Sequence, residues 1–103
     1  MRDIRDAFAE ALKDMRLQAA LAQTDFPPLV SREYVSLLER GLRAPTLETI
    51  DGLAKVLDIP PLALILQCYL LRDPTITLEE LLGQAVKQVR FDRIENASRN
   101  QEP

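Results

Sequence analysis

The sequence predicts an all-α fold, a compact bundle of five to six helices, and three observations carry that expectation. Apolar residues recur at helical spacing along nearly the whole chain. Helix start signals stand between the stripes at Ser31, Thr46 and the Thr77–Glu80 pair. Stop signals, Gly41 and the prolines at Pro60 and Pro61, leave only short connections. At 103 residues the chain fits one domain with a buried core, not two independent ones.

From Arg2 to about Ala20, Ile4, Phe8, Leu12, Met15 and Ala19 make the apolar stripe of a first amphipathic helix. Thr24 or Asp25 would cap a second one, but Pro27 and Pro28 restrict it to a single turn, because proline lacks a donor and disfavours helical geometry in the preceding residue. Phe26 and Leu29 are expected to plug the core there. Ser31 then caps a helix to Arg40, with Val35, Leu38 and optionally Tyr34 inward. Gly41 ends it in the left-handed conformation that glycine adopts at little cost.

Thr46 caps the next helix, to Leu57, whose stripe is Leu47, Ile50, Leu53, Ala54 and Leu57. Pro61 suits the first turn of a helix reaching about Leu71 that is apolar almost all round. One core-facing stripe needs only about half of those residues, so the remainder must be covered. Thr77 and Glu80 form a capping box for a last helix, Leu78 to roughly Asn96, with Leu78, Leu81, Leu82, Ala85, Val86, Val89 and Ile94 as its apolar positions. The tail from Ser98 is polar and expected to fray.

Composition narrows the function. Apolar residues at 47% and charged ones at 28% describe a soluble globular chain, and the apolar run Ile59 to Leu71 is broken by prolines and Gln67 and too short for a membrane span. The N-terminus has charges at helical intervals, unlike a secretory signal. With no His and a single Cys68, an intrachain disulfide is excluded and zinc motifs nearly so; a reducing cytoplasm is the expected compartment. Cys68 is expected to act as a small buried hydrophobe, with redox sensing the alternative. No Gly-rich phosphate loop and no nucleophile near a base are present, so no enzyme active site, cofactor, metal or small-molecule ligand is indicated.

The order Phe8, Leu12, Arg16, Leu21, Gln23, then SREYVSLLERG, then RAPTLETIDGLAKVLDI, resembles the helix-turn-helix domain of the Cro/phage-repressor (Xre) family. The resemblance covers about Phe8 to Leu66 and implies a lambda-repressor-like domain over residues 1–71, with an added C-terminal helical extension over 72–103. It implies a sequence-specific DNA-binding transcriptional regulator. The helix Ser31 to Arg40 would enter the major groove of double-stranded DNA by its N-terminal side chains. Arg32, Glu33 and Leu37 match positions facing base edges, and Arg and Glu suit guanine and the cytosine amino group. Gln23, Ser31, Tyr34, Ser36, Arg40 and Arg43 belong to the same DNA-facing set, most of them near the sugar-phosphate backbone. Arg16 and Glu39 match a structural salt bridge.

The sequence departs from that pattern in two ways. The interval from Gln23 to Tyr34 is shorter than usual and holds Pro27 and Pro28 where a full second helix normally runs. Through Pro60 there are eight Lys and Arg residues against ten acids, and the net charge of the chain is -3, a modest footprint for phosphate binding. DNA affinity is therefore expected to be salt-sensitive and to depend on dimerisation.

The surplus apolar surface suggests how a homodimer arises, with Leu66, Tyr69, Leu70, Leu78, Leu82, Val86 and Val89 as its interface. A twofold pair would suit a palindromic operator, and repression is the expected sense of regulation. Alternatively the last helix folds back and completes a monomeric core. A competing function is a protein-interaction module on a degenerate helix-turn-helix scaffold, a dimerising antagonist or antitoxin-like partner.

Overall fold

The computed structural model describes residues 1–90. Its elements are α1 (Ile4–Gln18), a single 3-10 turn (Gln23–Asp25), α2 (Arg32–Glu39), α3 (Leu47–Leu57), α4 (Pro61–Arg72) and α5 (Leu78–Gln88). α1 lies mainly against α4 and also against α2, while α3 packs on α4. Phe8, Leu12, Phe26, Val35, Leu38, Leu53 and Leu64 fill the space between them, each almost wholly buried. Burial of each such side chain contributes at most about 1.5–3 kcal/mol.

The start signals act as their residue types dictate. Ser31 Oγ accepts from the Tyr34 backbone N–H at 3.2 Å, and Thr46 Oγ1 accepts from that of Thr49 at 3.1 Å. Thr77 and Glu80 satisfy one another's free backbone donors at 3.1 and 3.2 Å, a complete capping box. Pro61 occupies the first turn of α4, where its missing N–H is no loss.

α1, α2 and α3 all end in the same way. A residue at positive φ succeeds the last turn: Ala20 at 59°, Gly41 at 72° and Asp58 at 57°. In each case its N–H and that of the next residue return to carbonyls of the last turn, Ala20 to Leu17 and Leu21 to Arg16, Gly41 to Leu38 and Leu42 to Leu37, Asp58 to Lys55 and Ile59 to Ala54. These are Schellman closures, which satisfy carbonyls otherwise left without donors. The sequence signals the stop at Gly41 by its glycine and the one after Leu57 by Asp58 with the two prolines, but not the one at Ala20.

Several expectations change. Phe26 is fully buried, but Leu29 is 58% exposed and Val30 takes its place in the core. The Val30 N–H donates to the Phe26 carbonyl, so the chain turns tightly over Pro27 and Pro28 and presents the next side chain, not Leu29, to the interior. Neither Thr24 nor Asp25 caps a following helix; the Asp25 carboxylate reaches back to the Ala22 N–H at 2.7 Å and closes the 3-10 turn. Leu47 is 78% exposed, because the first turn of α3 stands outside the core edge. Ala19 is exposed just past the end of α1, which starts at Ile4, capped by Asp3, and not at Arg2.

α5 ends at Gln88, short of the expected Asn96, with Val89 already extended. Ile94 and the polar tail lie outside the described residues. α5 buries no residue and takes part in none of the main helix–helix contacts, so its described residues add little to the core of its own chain.

Candidate nucleic-acid interface

α2 is held from behind by one ion pair. Arg16 of α1 grips the Glu39 carboxylate with two donors, Nε to Oε2 at 2.6 Å and Nη2 to Oε1 at 2.9 Å, while its Nη1 donates to the Leu21 carbonyl at 2.9 Å. The two side chains are only 11% and 5% exposed. The bidentate bond to Glu39 raises the Arg16 pKa further above its already high range, so the cation is permanent. This is the structural bridge that the family resemblance implies. It joins the end of α2 to the end of α1 and fixes the rotation of α2 about its axis.

Gln23 enters the same network, its Nε2 donating to Glu39 Oε1 at 3.2 Å. It therefore sits behind α2, half-buried, and braces Glu39 from the 3-10 turn. That turn, with Phe26 and Val30 beneath it, replaces the full second helix as the support of α2. At the other end the Tyr34 hydroxyl donates to the Ala44 carbonyl at 3.4 Å, tying the first turn of α2 to the loop before α3.

The outward side of α2 is built from Arg32, Glu33, Ser36, Leu37 and Arg40, which line a shallow depression of about 270 Å³. These positions fall within less than half the helix circumference, so all five can meet one partner surface. Arg32, Glu33 and Arg40 are exposed, Ser36 and Leu37 half-buried. Among the described residues, Arg32, Arg40 and Arg43 form no salt bridge, which leaves three cations uncommitted around this helix. Arg43 is exposed in the loop after Gly41. The Ser31 hydroxyl is engaged as the cap of α2.

A second, more polar depression flanks the N-terminal end of α2. It is lined by Leu29, Val30, Ser31, Tyr34, Thr46, Glu48 and Thr49, so the first turn of α3 stands beside that of α2. Helical periodicity assigns α3 to the core alone and misses this face; two capping residues only fifteen positions apart, Ser31 and Thr46, are the available signal.

The residues set at the proposed interface fall in two clusters. Tyr69, Leu78, Leu82, Val86 and Val89 are exposed, and Leu66 and Leu70 half-buried, far along the chain from the α2 face. Cys68 is buried, and burial pushes its thiol pKa up, as for an inert core cysteine.

Residues 28–64, a little over a third of the chain, match a family model described as Helix-turn-helix. The match opens just behind the 3-10 turn and runs through α2 and α3 into α4, so it covers the presented helix and leaves out the shortened brace. No curated protein matches the chain. That segment is thus similar to the helix-turn-helix domains of the Cro/phage-repressor, Xre-like type, and the all-helical architecture fits the lambda-repressor-like fold.

Proposed function

We propose that the protein is a sequence-specific transcriptional regulator that binds a palindromic operator as a homodimer and acts as a repressor. α2 is the recognition helix. Arg32 and Glu33 at its N-terminal end contact base edges, Leu37 adds an apolar contact, and Ser36, Arg40 and Arg43 meet phosphates. The observation that carries this reading is the outward face of α2: five side chains on one side of a short helix whose other side is locked by the Arg16–Glu39 bridge. A preorganised helix loses little freedom on docking, which favours base readout over loose attraction.

Selection of bound sites from genomic fragments, followed by titration of variants on the selected site, tests it. Arg32→Ala should lower affinity and relax preference at one base pair, whereas Arg43→Ala should weaken all sequences alike and flatten the salt dependence. Unchanged affinity in both variants would refute the assignment.

A second reading is favoured by the single 3-10 turn standing for a full helix and by the uncovered apolar faces of α4 and α5: an interaction module that binds another protein through this scaffold. Absence of any DNA retardation at low salt together with a stably co-purifying protein would select it. Enrichment of fragments sharing a palindrome would remove it.

A further inference from the structure

A cleft of about 220 Å³ opens between α1, α3 and α4, and none of its lining residues belongs to α2. Phe8, Ile50 and Cys68 are buried and form its floor, and the half-buried Ile4 and Ile65 form its sides. Pro45, in the connection before α3, closes one edge. The sequence carries no sign of this cleft, because its walls come from three separate stretches of the chain.

Polar groups are few and lie at the mouth. On the floor the Cys68 thiol is already engaged, donating to the Ile4 carbonyl at 4.0 Å. Arg5 is the one charged residue of the lining and is exposed. Among the described residues its guanidinium forms no salt bridge. The acids beside it in sequence are turned elsewhere: Asp3 accepts from the Arg5 backbone N–H at 2.8 Å as the cap of α1, and the Asp6 carboxylate lies against Gly41. Tyr69, 43% exposed, is the other polar side chain at the mouth.

We propose that this cleft binds a small carboxylate with an apolar body of about six to nine carbons, an arylalkanoate or a short-chain alkanoate. The body lies against Phe8, Ile50 and Ile65, and the carboxylate meets Arg5. This goes beyond the regulator reading and does not rest on it. Volume sets the size. An apolar cavity of about 150 Å³ admits benzene, so one of 220 Å³ admits a ring with a short arm or a chain of similar bulk. A helix of another molecule, about 10–12 Å across, cannot enter it. The lining sets the polarity, since water finds few partners on such walls and an apolar body loses nothing there. A multivalent, strongly hydrated anion such as phosphate would lose more on leaving water than one guanidinium returns. Charge sets the head group: a guanidinium offers two parallel N–H donors in the geometry that a carboxylate accepts.

The test uses the full-length chain with its isoleucine δ1 methyl groups labelled for NMR, titrated with octanoate and, separately, with phenylacetate. For at least one of them, saturable shifts are expected at Ile4, Ile50 and Ile65, with Ile59 and Ile76 unmoved and a Kd below about 1 mM. No saturable shift with either acid up to about 10 mM would overturn the proposal. Shifts centred on Ile59 would overturn it too, since that residue lines a different cleft beside Met15 and Leu57. Arg5→Gln should weaken the acid about fivefold while the spectrum of the free chain stays the same, and unchanged affinity would refute the role of the cation. The amide of the same acid should bind about fivefold more weakly than the acid; equal binding would mean that the cleft selects neutral apolar molecules and would refute the assignment. Movement of the same three methyl groups when the protein alone is concentrated would give the cleft to a second copy of the chain and overturn the proposal.

Discussion

Replacing Glu39 by Gln tests whether the Arg16–Glu39 bridge holds α2 in place. The change keeps shape and one acceptor but removes the negative charge, leaving the Arg16 guanidinium, its side chain 11% exposed, without its counter-ion. Removing one partner of a buried pair costs about 3–5 kcal/mol. The bridge lies at the edge of the core, and the Leu21 carbonyl still accepts from Arg16 Nη1, so the lower end applies, about 3 kcal/mol. Against a total stability of about 5–15 kcal/mol for a domain, that loss is large and should lower Tm by about 12–24 °C. Urea denaturation followed by circular dichroism measures it. The double variant Arg16→Met with Glu39→Leu removes both charges together and should recover most of the loss, since a well-packed apolar pair often replaces a buried ion pair without penalty. A loss below about 1 kcal/mol for Glu39→Gln, or a double variant no better than the single one, would refute the view that an uncompensated charge sets the cost.

Other expectations attach to particular residues. Ala20→Gly should raise stability by about 0.5–1 kcal/mol, because relief of the left-handed strain at φ 59° exceeds the entropy cost of glycine. Gly41→Ala should lower it by about 1–2 kcal/mol, since φ is 72° and an added Cβ would lie 2.7 Å from Asp6 Oδ1, and equal denaturation curves would refute both. Phe26→Ala should cost about 3–5 kcal/mol and Leu29→Ala less than about 0.5, reversing any expectation that both plug the core; the ratio of the two denaturation midpoints checks it. Cys68 should react with iodoacetamide at pH 8 far more slowly in the native chain than in urea, because burial raises its pKa and withholds the thiolate; equal rates would contradict its buried setting.

Local chemistry was legible in the chain. Ser31, Thr46, Thr77 with Glu80, Gly41 and Pro61 act within three or four residues of themselves, and their backbone partners depend on nothing distant. The face of α2 was legible for the same reason: once the helix is capped at Ser31 and stopped at Gly41, helical periodicity decides that Val35 and Leu38 turn inward and Arg32, Glu33, Ser36, Leu37 and Arg40 outward. Arg16 and Glu39 became a pair through the family resemblance, since nothing in a spacing of 23 residues implies contact.

Tertiary structure alone decided the rest. Ala20 closes its helix at positive φ although alanine disfavours that conformation, because the chain must turn there for the next segment to reach the core. Val30 displaces Leu29, and Leu47 stands in water, because a stripe read from periodicity has no knowledge of where its neighbours end. Gln23 serves Glu39 from behind α2, a role that depends on the 3-10 turn's position in space. The surplus of apolar residues on α4 and α5 was visible in the sequence; that α5 buries none of its own, leaving Leu78, Leu82 and Val86 exposed, was decided only by where the fold sets that helix.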